Sequence, residues 1–298
     1  MRTTKKTKRA SPYPPRQRHG DTDERAPRFP ATIRSLMHPI VFLPARSWWR
    51  LLPLCLVFLL AGRIAWAEPS PLPQSFDLRD IDGHAFIGPV KDQGPVGTCY
   101  AFSAAAAAES TLNRAMNLYD ENAARFSESF IVWSLSPYYE GFSYEGAYSI
   151  FDELQALVDH GLPREEFFPY VTSQPQDLHW DAKRTKFSSW HRIPTNDVET
   201  MKRVLQTFGA VDALILVEDA FYDYKGGIFS NTYTAPLTPV EYDANINHGI
   251  SLVGWDDNAD GQGHGAWILR NSWGPTWGLD GYMLIDYTSA AVATSATY

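Results

Sequence analysis

The sequence predicts an α+β protein of two lobes, a helical lobe followed by a lobe rich in β-strands. Between residues 99 and 160 the apolar residues recur at helical spacing. From residue 211 onward, short runs of Val, Ile, Leu and aromatic residues are bounded by Gly, Asp and Asn. Helical segments that precede strand segments, rather than alternating with them, favour the α+β class. The chain has 298 residues, 44% of them apolar and 20% charged, so it can bury a core and is not disordered throughout.

Residues 1–36 are predicted to be a disordered basic segment. They are rich in Pro, Lys and Arg and show no apolar periodicity. A segment of this length ahead of a leader is unusual, whereas a start at Met37 gives a leader of ordinary length. We therefore expect that synthesis begins at Met37 and that residues 1–36 are not translated.

Residues 37–67 are predicted to be a secretory signal peptide. The apolar run Leu51–Gly62 has 12 residues, fewer than the roughly 20 needed to span a bilayer. Arginines precede this run and the small-x-small sequence Ala65-Trp66-Ala67 follows it, which is the order of parts in a signal peptide. We expect cleavage after Ala67, export to the periplasm or the exterior, and no stable membrane span afterwards. The alternative is an uncleaved anchor.

The remaining residues, 68–298, are strongly acidic. Of the 26 Lys and Arg residues, 13 lie in residues 1–67, together with only 3 of the 34 Asp and Glu residues. Residues 68–298 therefore carry 13 basic and 31 acidic side chains, a net charge of −18. This balance argues against nucleic acid as a partner, because affinity for nucleic acid rests mainly on neutralising phosphates.

Each helix is predicted from its apolar spacing and its end signals. Gly94 and Gly97 mark a turn, and Thr98 is placed to cap the first helix. Asn196 and Glu199 resemble a capping box at the start of the last helix. The predicted helices cover residues 99–118, 127–136, 147–160 and 196–209.

Strand signals occupy the second half of the acidic region. The predicted strands cover residues 211–217, 248–254, 265–270 and 282–287. We therefore expect residues 68–298 to form one domain, with a helical lobe over about residues 93–192 and a β-rich lobe over about residues 193–290.

Cys99 is the first candidate for a chemical role. It is the only cysteine in residues 68–298, so a protein that begins at residue 68 has no internal disulfide. It lies where a glycine turn enters a helix, and the unpaired N–H groups of a helix N-terminus favour thiolate over thiol. The thiol is therefore either a reactive nucleophile or a small apolar group packed in the first helical turn.

A nucleophilic cysteine needs a histidine base and a third group that orients the imidazole. His248 begins a predicted strand 149 residues after Cys99, and a strand end holds an imidazole rigidly. Asn271 follows His248 by 23 residues and ends the next predicted strand. The order Cys, His, Asn thus places three candidate residues on two predicted lobes.

These residues and their surroundings resemble the papain-like cysteine peptidases, family C1. The resemblance covers most of residues 73–287 and rests on four segments in the family's order: LPQSFDLR, QGPVGTCYAFS, FYDYKGGIF and NSWGPTWGLDGY. They are similar, respectively, to the mature N-terminus, the nucleophile segment, the lead-in to the histidine and the asparagine motif of the family. The resemblance implies a papain-like two-lobe fold with the active-site cleft between the lobes.

The resemblance also implies a role for each matching residue. Cys99 would be the nucleophile, His248 the general base and acid, and Asn271 the group that orients the imidazole. Gln93 would donate to the oxyanion, and Trp273 would shield the contact between the imidazole and Asn271. We expect a monomeric cysteine-type endopeptidase that acts on polypeptides through a thioester acyl-enzyme, without cofactor or metal. An exopeptidase or an acyl transferase would use the same residues.

The sequence departs from the family pattern in three places. The family's disulfide at the nucleophile loop is missing, because Val96 stands in place of the usual cysteine. Glu145 and Gly146 stand where the family has two glycines beside the substrate groove, so a substrate preference cannot be carried over. Too few residues separate Ala67 from Leu72 to form an inhibitory pro-segment. The resemblance is thus to a bacterial-type member without that segment, and the alternative function is a catalytically inert peptide-binding protein.

One run of acidic residues resembles a metal site. Residues 256–261 match the start of a calcium loop, but residue 267, where that loop requires Glu, is Trp. Because the run joins two predicted strands, we interpret it as a hairpin turn and predict no metal site.

Overall fold

The computed structural model describes residues 70–147, 150–231 and 246–298. The predicted disordered segment, signal peptide and cleavage site lie outside these residues. Within the described ranges, no helix has both the length and the apolarity to cross a bilayer.

The helices lie mainly in the first half of the described chain. The α-helices are α1 Cys99–Met116, α2 Ile150–His160, α3 Val198–Thr207 and α4 Asp219–Tyr222. A π-helix covers Phe130–Leu135. Short 3₁₀ turns cover Asp120–Asn122, Ser136–Tyr138, Glu165–Phe167 and Ser289–Ala291.

Helix α1 is the longest helix of the described residues and packs against both parts of the protein. Its alanine run, residues 104–108, is buried and lets neighbouring elements approach closely. The helix ends two residues earlier than predicted, because Asn117 takes the left-handed conformation (φ 52°) and its N–H bonds to the carbonyl of Asn113.

Two other helices differ from the prediction at their starts. Helix α2 begins at Ile150 rather than at residue 147, because Gly146–Ala147 pairs as a strand with Phe142–Ser143. Helix α3 is capped by Asp197, whose carboxylate accepts the Thr200 N–H at 2.9 Å. The prediction that Asn196 caps this helix was wrong, because Asn196 has a left-handed backbone conformation (φ 59°).

The predicted helix over residues 127–136 is helical at its centre but is mostly a π-helix. All six residues of Phe130–Leu135 are buried. Before them, the hydroxyl of Ser127 accepts the Phe130 N–H at 3.0 Å and donates to the Phe168 carbonyl at 2.6 Å. Apolar spacing alone does not distinguish the wider π turn from an α turn.

Among the described residues, seven strands form the main sheet, and two short antiparallel strand pairs lie in the helical half. One pair is the hairpin of β2 Phe142–Ser143 with β3 Gly146–Ala147, and the other joins β4 Leu162–Pro163 to β5 Arg184–Thr185 across a long connection. The strands of the main sheet are β1 Ser75–Asp77, β6 Val211–Ile215, β7 Ile228–Phe229, β8 His248–Asp256, β9 Ala266–Arg270, β10 Tyr282–Asp286 and β11 Ala296–Thr297.

Strand β8 is the central strand of the main sheet. The order is β11-β6-β8-β9-β10-β7, and β1 also pairs with β8. All pairs are antiparallel except β10 with β7, and a register shift lies between Leu252 and Gly254 where β8 meets β9. The four predicted strands all form, each within two residues of the predicted ends.

Two main hydrophobic clusters correspond to the helical half and the sheet. The helical cluster includes Phe126, Phe130, Leu135, Leu154 and Leu162. The sheet cluster includes Ile215, Leu252, Trp255, Trp267 and Leu269. Helix α1 contributes to the first cluster and packs against β6 and β8, so its N-terminus lies beside the start of β8.

Candidate active site

Cys99 is the first residue of α1 and has a free, half-buried thiol. Its Sγ accepts the backbone N–H of Gly249 at 3.3 Å. Thr98 precedes it as the N-terminal cap residue, but its hydroxyl makes no hydrogen bond to the helix backbone. The sulfur therefore faces both the positive end of α1 and the β8 strand.

His248 is the first residue of β8 and is buried, with 5% of its surface exposed. The next residue, Gly249, makes the contact between β8 and α1 possible. A Cβ atom on Gly249 would lie 3.2 Å from the Cα of Tyr100, which is tighter than most real contacts. A glycine at this point therefore lets β8, which begins with His248, approach Tyr100 of α1 closely.

Asn271 directly follows β9 and holds the His248 ring. Its Oδ1 is 2.8 Å from Nε2 of His248 and also accepts the N–H of Ser272 at 2.8 Å. Because an amide oxygen only accepts, Nε2 of His248 carries the hydrogen. The other ring nitrogen, Nδ1, is left to exchange protons.

Trp273 covers one face of this contact. Its ring lies 4.8 Å from the His248 ring, tilted by 34°. On its other side Tyr222 stacks in parallel at 5.0 Å and 2°, and Phe221 and Trp277 pack against its edges. Trp273 therefore joins the His248 ring to an aromatic cluster.

Gln93 lies in the turn before Cys99 and is 8% exposed. Its Nε2 donates to the carbonyl of Val96 at 2.9 Å, and its Oε1 accepts the hydroxyl of Ser272 at 2.6 Å. Its backbone N–H also donates to the carbonyl of Ser272 at 2.8 Å. The orientation of the Gln93 amide is thus fixed, and these bonds use one of the two hydrogens on Nε2.

Glu145 and Gly146 lie at the tip and the return strand of the β2–β3 hairpin. The hairpin abuts the loop before Cys99: the N–H of Gly97 donates to the carbonyl of Tyr144 at 3.1 Å. A Cβ atom on Gly97 would lie 2.2 Å from the carbonyl oxygen of Glu145. The backbone contact therefore joins the β2–β3 hairpin to the loop before Cys99.

Burial opposes charge on both candidate reacting groups when each is taken alone. It raises the pKa of the Cys99 thiol, although N–H groups of Gly249 and Tyr100 partly oppose the change. It lowers the pKa of His248 to about 4, although the hydrogen bond to Asn271 partly opposes this. Each group taken alone therefore favours its neutral form in the folded protein.

Sequence reasoning missed two residues that hold this site together, Ser272 and Tyr170. Ser272 fixes the amide of Gln93, and the hydroxyl of Tyr170 contacts both ends of the loop before Cys99. Ser272 could have been suspected from the sequence because it adjoins Asn271. Tyr170 lies 71 residues beyond Cys99, and no sequence motif connects the two.

The described residues contain no group of three or more His, Cys, Asp or Glu side chains arranged to hold a metal ion. In the loop that resembles a calcium site, the side chains of Asp256, Asn258 and Asp260 accept backbone N–H groups of the same turn. These side-chain oxygens therefore stabilise the turn between β8 and β9.

Comparisons with known proteins find one family. The sequence model of the papain family cysteine proteases matches residues 72–298. A probable cysteine protease of Arabidopsis thaliana is 28% identical over 218 residues, which are 72% of this chain and 44% of that protein. Cathepsin K of Gallus gallus is 28% identical over 202 residues, 67% of this chain and 55% of that protein. The chain thus spans about half the length of these curated relatives.

A solved structure supports the same fold. The digestive procathepsin L 3 from the larval midgut of Tenebrio molitor superposes with a TM-score of 0.65 at 25% identity, covering 76% of this chain and 70% of that one. The predicted two-lobe α+β fold is thereby confirmed.

Proposed function

The chain belongs to the papain family of cysteine proteases, and on this premise we propose that it hydrolyses peptide bonds through Cys99, His248 and Asn271. The observation that best supports this assignment is the 2.8 Å bond between His248 and Asn271, one residue from the N–H that contacts the Cys99 sulfur. It links a buried imidazole, its orienting amide and a thiol at a helix N-terminus.

In the proposed first step, the Cys99 proton passes to Nδ1 of His248 and the thiolate attacks the substrate carbonyl carbon. A C–S bond forms and the carbonyl oxygen takes the negative charge. The N–H of Cys99 and the free hydrogen on Nε2 of Gln93 stabilise this oxyanion, since fixed donors act where the charge develops. The C–N bond then breaks, and His248 gives its proton to the leaving amine.

The second proposed step releases the acid product. His248 takes a proton from a water molecule, whose oxygen attacks the thioester carbonyl carbon. The C–O bond forms, the C–S bond breaks, and the thiolate regains the proton from His248. Asn271 holds the ring orientation in both steps, and the aromatic cover of Trp273 keeps bulk water from the bond that sets it.

We also propose the finer organisation expected from the sequence. The mature protein begins after Ala67 and is exported, residues 68–298 are the peptidase domain, and the enzyme works as a monomeric endopeptidase on polypeptides. N-terminal sequencing of the purified protein and its elution volume in size-exclusion chromatography test the first and last of these statements.

The deciding experiment is the intact mass of residues 68–298 after brief exposure to an epoxysuccinyl peptide at pH 5–6. An ordinary thiol with a pKa near 8.5 barely reacts there, so we expect one adduct on the wild type and none on Cys99→Ala or His248→Ala. The wild type should also cleave a denatured protein substrate. A folded wild type that takes up no reagent would contradict the proposal and favour the inert peptide-binding protein.

A further inference from the structure

Tyr170 makes two hydrogen bonds with its hydroxyl group, and their directions are determined. The hydroxyl is 2.8 Å from the carbonyl oxygen of Gln93 and 2.7 Å from the hydroxyl oxygen of Thr98. A carbonyl oxygen only accepts, so the Tyr170 hydrogen points to Gln93. The Thr98 hydroxyl therefore donates to Tyr170.

These two contacts join the two ends of one loop. The loop of residues 93–98 starts at Gln93, whose side chain is one proposed oxyanion donor. It ends at Thr98, the neighbour of Cys99, whose N–H is the other. The Tyr170 hydroxyl thus spans the loop from the first donor residue to the residue before the second. A change in that span alters the separation of the two donors.

Tyr170 is itself held from several directions. Its ring packs edge-on against Phe102 of α1 at 4.7 Å. The next residue, Val171, accepts the indole N–H of Trp133 at 3.1 Å and donates to the hydroxyl of Ser129 at 2.8 Å. Burial raises the pKa of the Tyr170 hydroxyl, so it stays a donor over the working range. The hydroxyl is therefore a fixed point against which the loop is set.

We propose that Tyr170 is a positioning residue that holds the backbone loop of the oxyanion site closed through its hydroxyl group. This role rests on the function proposed above for Cys99 and Gln93. It belongs to a hydroxyl that touches neither the reacting sulfur nor the substrate. It acts on the step in which an oxyanion forms, and not on the ionisation of Cys99.

The experiment compares wild type with Tyr170→Phe, Thr98→Val and the double variant. We expect Tyr170→Phe to lower kcat on a peptide amide about 10- to 100-fold with KM nearly unchanged, since loss of a whole oxyanion donor costs about 10²- to 10³-fold. Alkylation of Cys99 by iodoacetamide, which forms no oxyanion, should stay within about twofold of wild type. The double variant should be no slower than Tyr170→Phe, because both single changes break one bridge.

A matched control is Tyr139→Phe, which removes a hydroxyl bonded to Asp159 on the surface at 2.7 Å and should leave kcat unchanged. An unchanged kcat in Tyr170→Phe would overturn the proposal. Equal losses in kcat and in alkylation, with a lowered Tm, would also overturn it and show general loosening. If wild-type Cys99 reacts no faster than a free thiol, the proposed function fails instead, which the wild-type arm alone reveals.

Discussion

At the scale of single residues, the candidate site depends on which atom of each side chain is already engaged. The hydrogen on Nε2 of His248 and one hydrogen on Nε2 of Gln93 are committed to Asn271 and Val96. Cys99, His248 and Asn271 were predictable because each lies in a short segment with its own pattern. Tyr170 was not, because its bonds join it to residues 72 and 77 positions away. The catalytic assignments themselves stay predictions.

Replacing Asn271 should change the pH dependence of the reaction as well as its rate. The bond from His248 to Asn271 raises the imidazole pKa against the effect of burial. Asn271→Ala removes it, so the imidazolium should lose its proton at a lower pH. The alkaline limb of kcat/KM should then move to lower pH, and kcat should fall roughly 10- to 100-fold as the ring loses its orientation.

The measurement is kcat/KM against pH for wild type and Asn271→Ala. Asn258→Ala is the control, because it removes an amide that bonds a backbone N–H in the surface hairpin. An alkaline limb that stays in place in Asn271→Ala would show that the amide does not set the imidazole pKa.

At the scale of elements, the site is assembled where a helix end, a strand start and a hairpin meet. Helix α1 and strand β8 were predictable from periodicity, and their ends differ from the prediction by at most two residues. The short hairpin β2–β3 was not predictable, because strands of two residues carry no period. Its backbone contact with Gly97 depends on the absence of a side chain at that residue.

Gly97→Ala should separate the hairpin from the loop before Cys99. The added Cβ would meet the carbonyl oxygen of Glu145 at 2.2 Å, and backbone cannot move away cheaply. We expect a loss of about 1–3 kcal/mol in the free energy of unfolding and a lower rate of Cys99 alkylation. Urea unfolding and iodoacetamide kinetics give both values.

Gly88→Ala is the control for this change. Its Cβ would lie 3.7 Å from the nearest atom, an ordinary contact with the side chain of Arg125, so stability should change by no more than about 0.5 kcal/mol. Equal losses in the free energy of unfolding for Gly97→Ala and Gly88→Ala would contradict a specific role for the contact at Gly97.

At the scale of the whole molecule, one buried carboxyl group lies in the helical half and another in the main sheet. Glu153 of α2 and Asp212 of β6 are fully buried. Among the described residues, neither has a hydrogen bond of good geometry, although Ser103 and Thr297 lie near Asp212. Burial raises the pKa of Asp212 to about 7 and that of Glu153 well above its ordinary value. The fold class was predictable from the sequence. The burial of these two carboxyl groups was not, because it depends on how the helical half and the sheet pack.

The stabilising contribution of Asp212 should therefore fall as pH rises from about 4 to about 7. In the unfolded chain both groups release their protons near pH 4, whereas the folded protein keeps the Asp212 proton until about pH 7. At this carboxyl the folded state binds more protons in this window, so the contribution of Asp212 to stability falls with rising pH by a few kcal/mol. Asp212→Asn should flatten this dependence and be more stable than wild type at pH 8.

Thermal unfolding at pH 4.5 and pH 8 tests this, with every variant carrying Cys99→Ser so that self-cleavage does not interfere. Asp257→Asn is the contrasting variant, because the ion pair with Lys202 lowers the pKa of Asp257. Its contribution is lost as pH falls and not as pH rises. Equal pH slopes for wild type and Asp212→Asn would refute the expectation.

The backbone contact at Gly97 has a practical consequence for handling the enzyme. Since residues 68–298 contain a single sulfhydryl and no sulfur bridge fastens the loops, strong reductants can be present during purification without unfastening the structure. Once the reductant has been removed, every equivalent of a chromogenic disulfide consumed by such a preparation counts one Cys99. A colour reaction thus gives the molar concentration of accessible nucleophile before any substrate is known, and a shortfall measures how much enzyme air has oxidised.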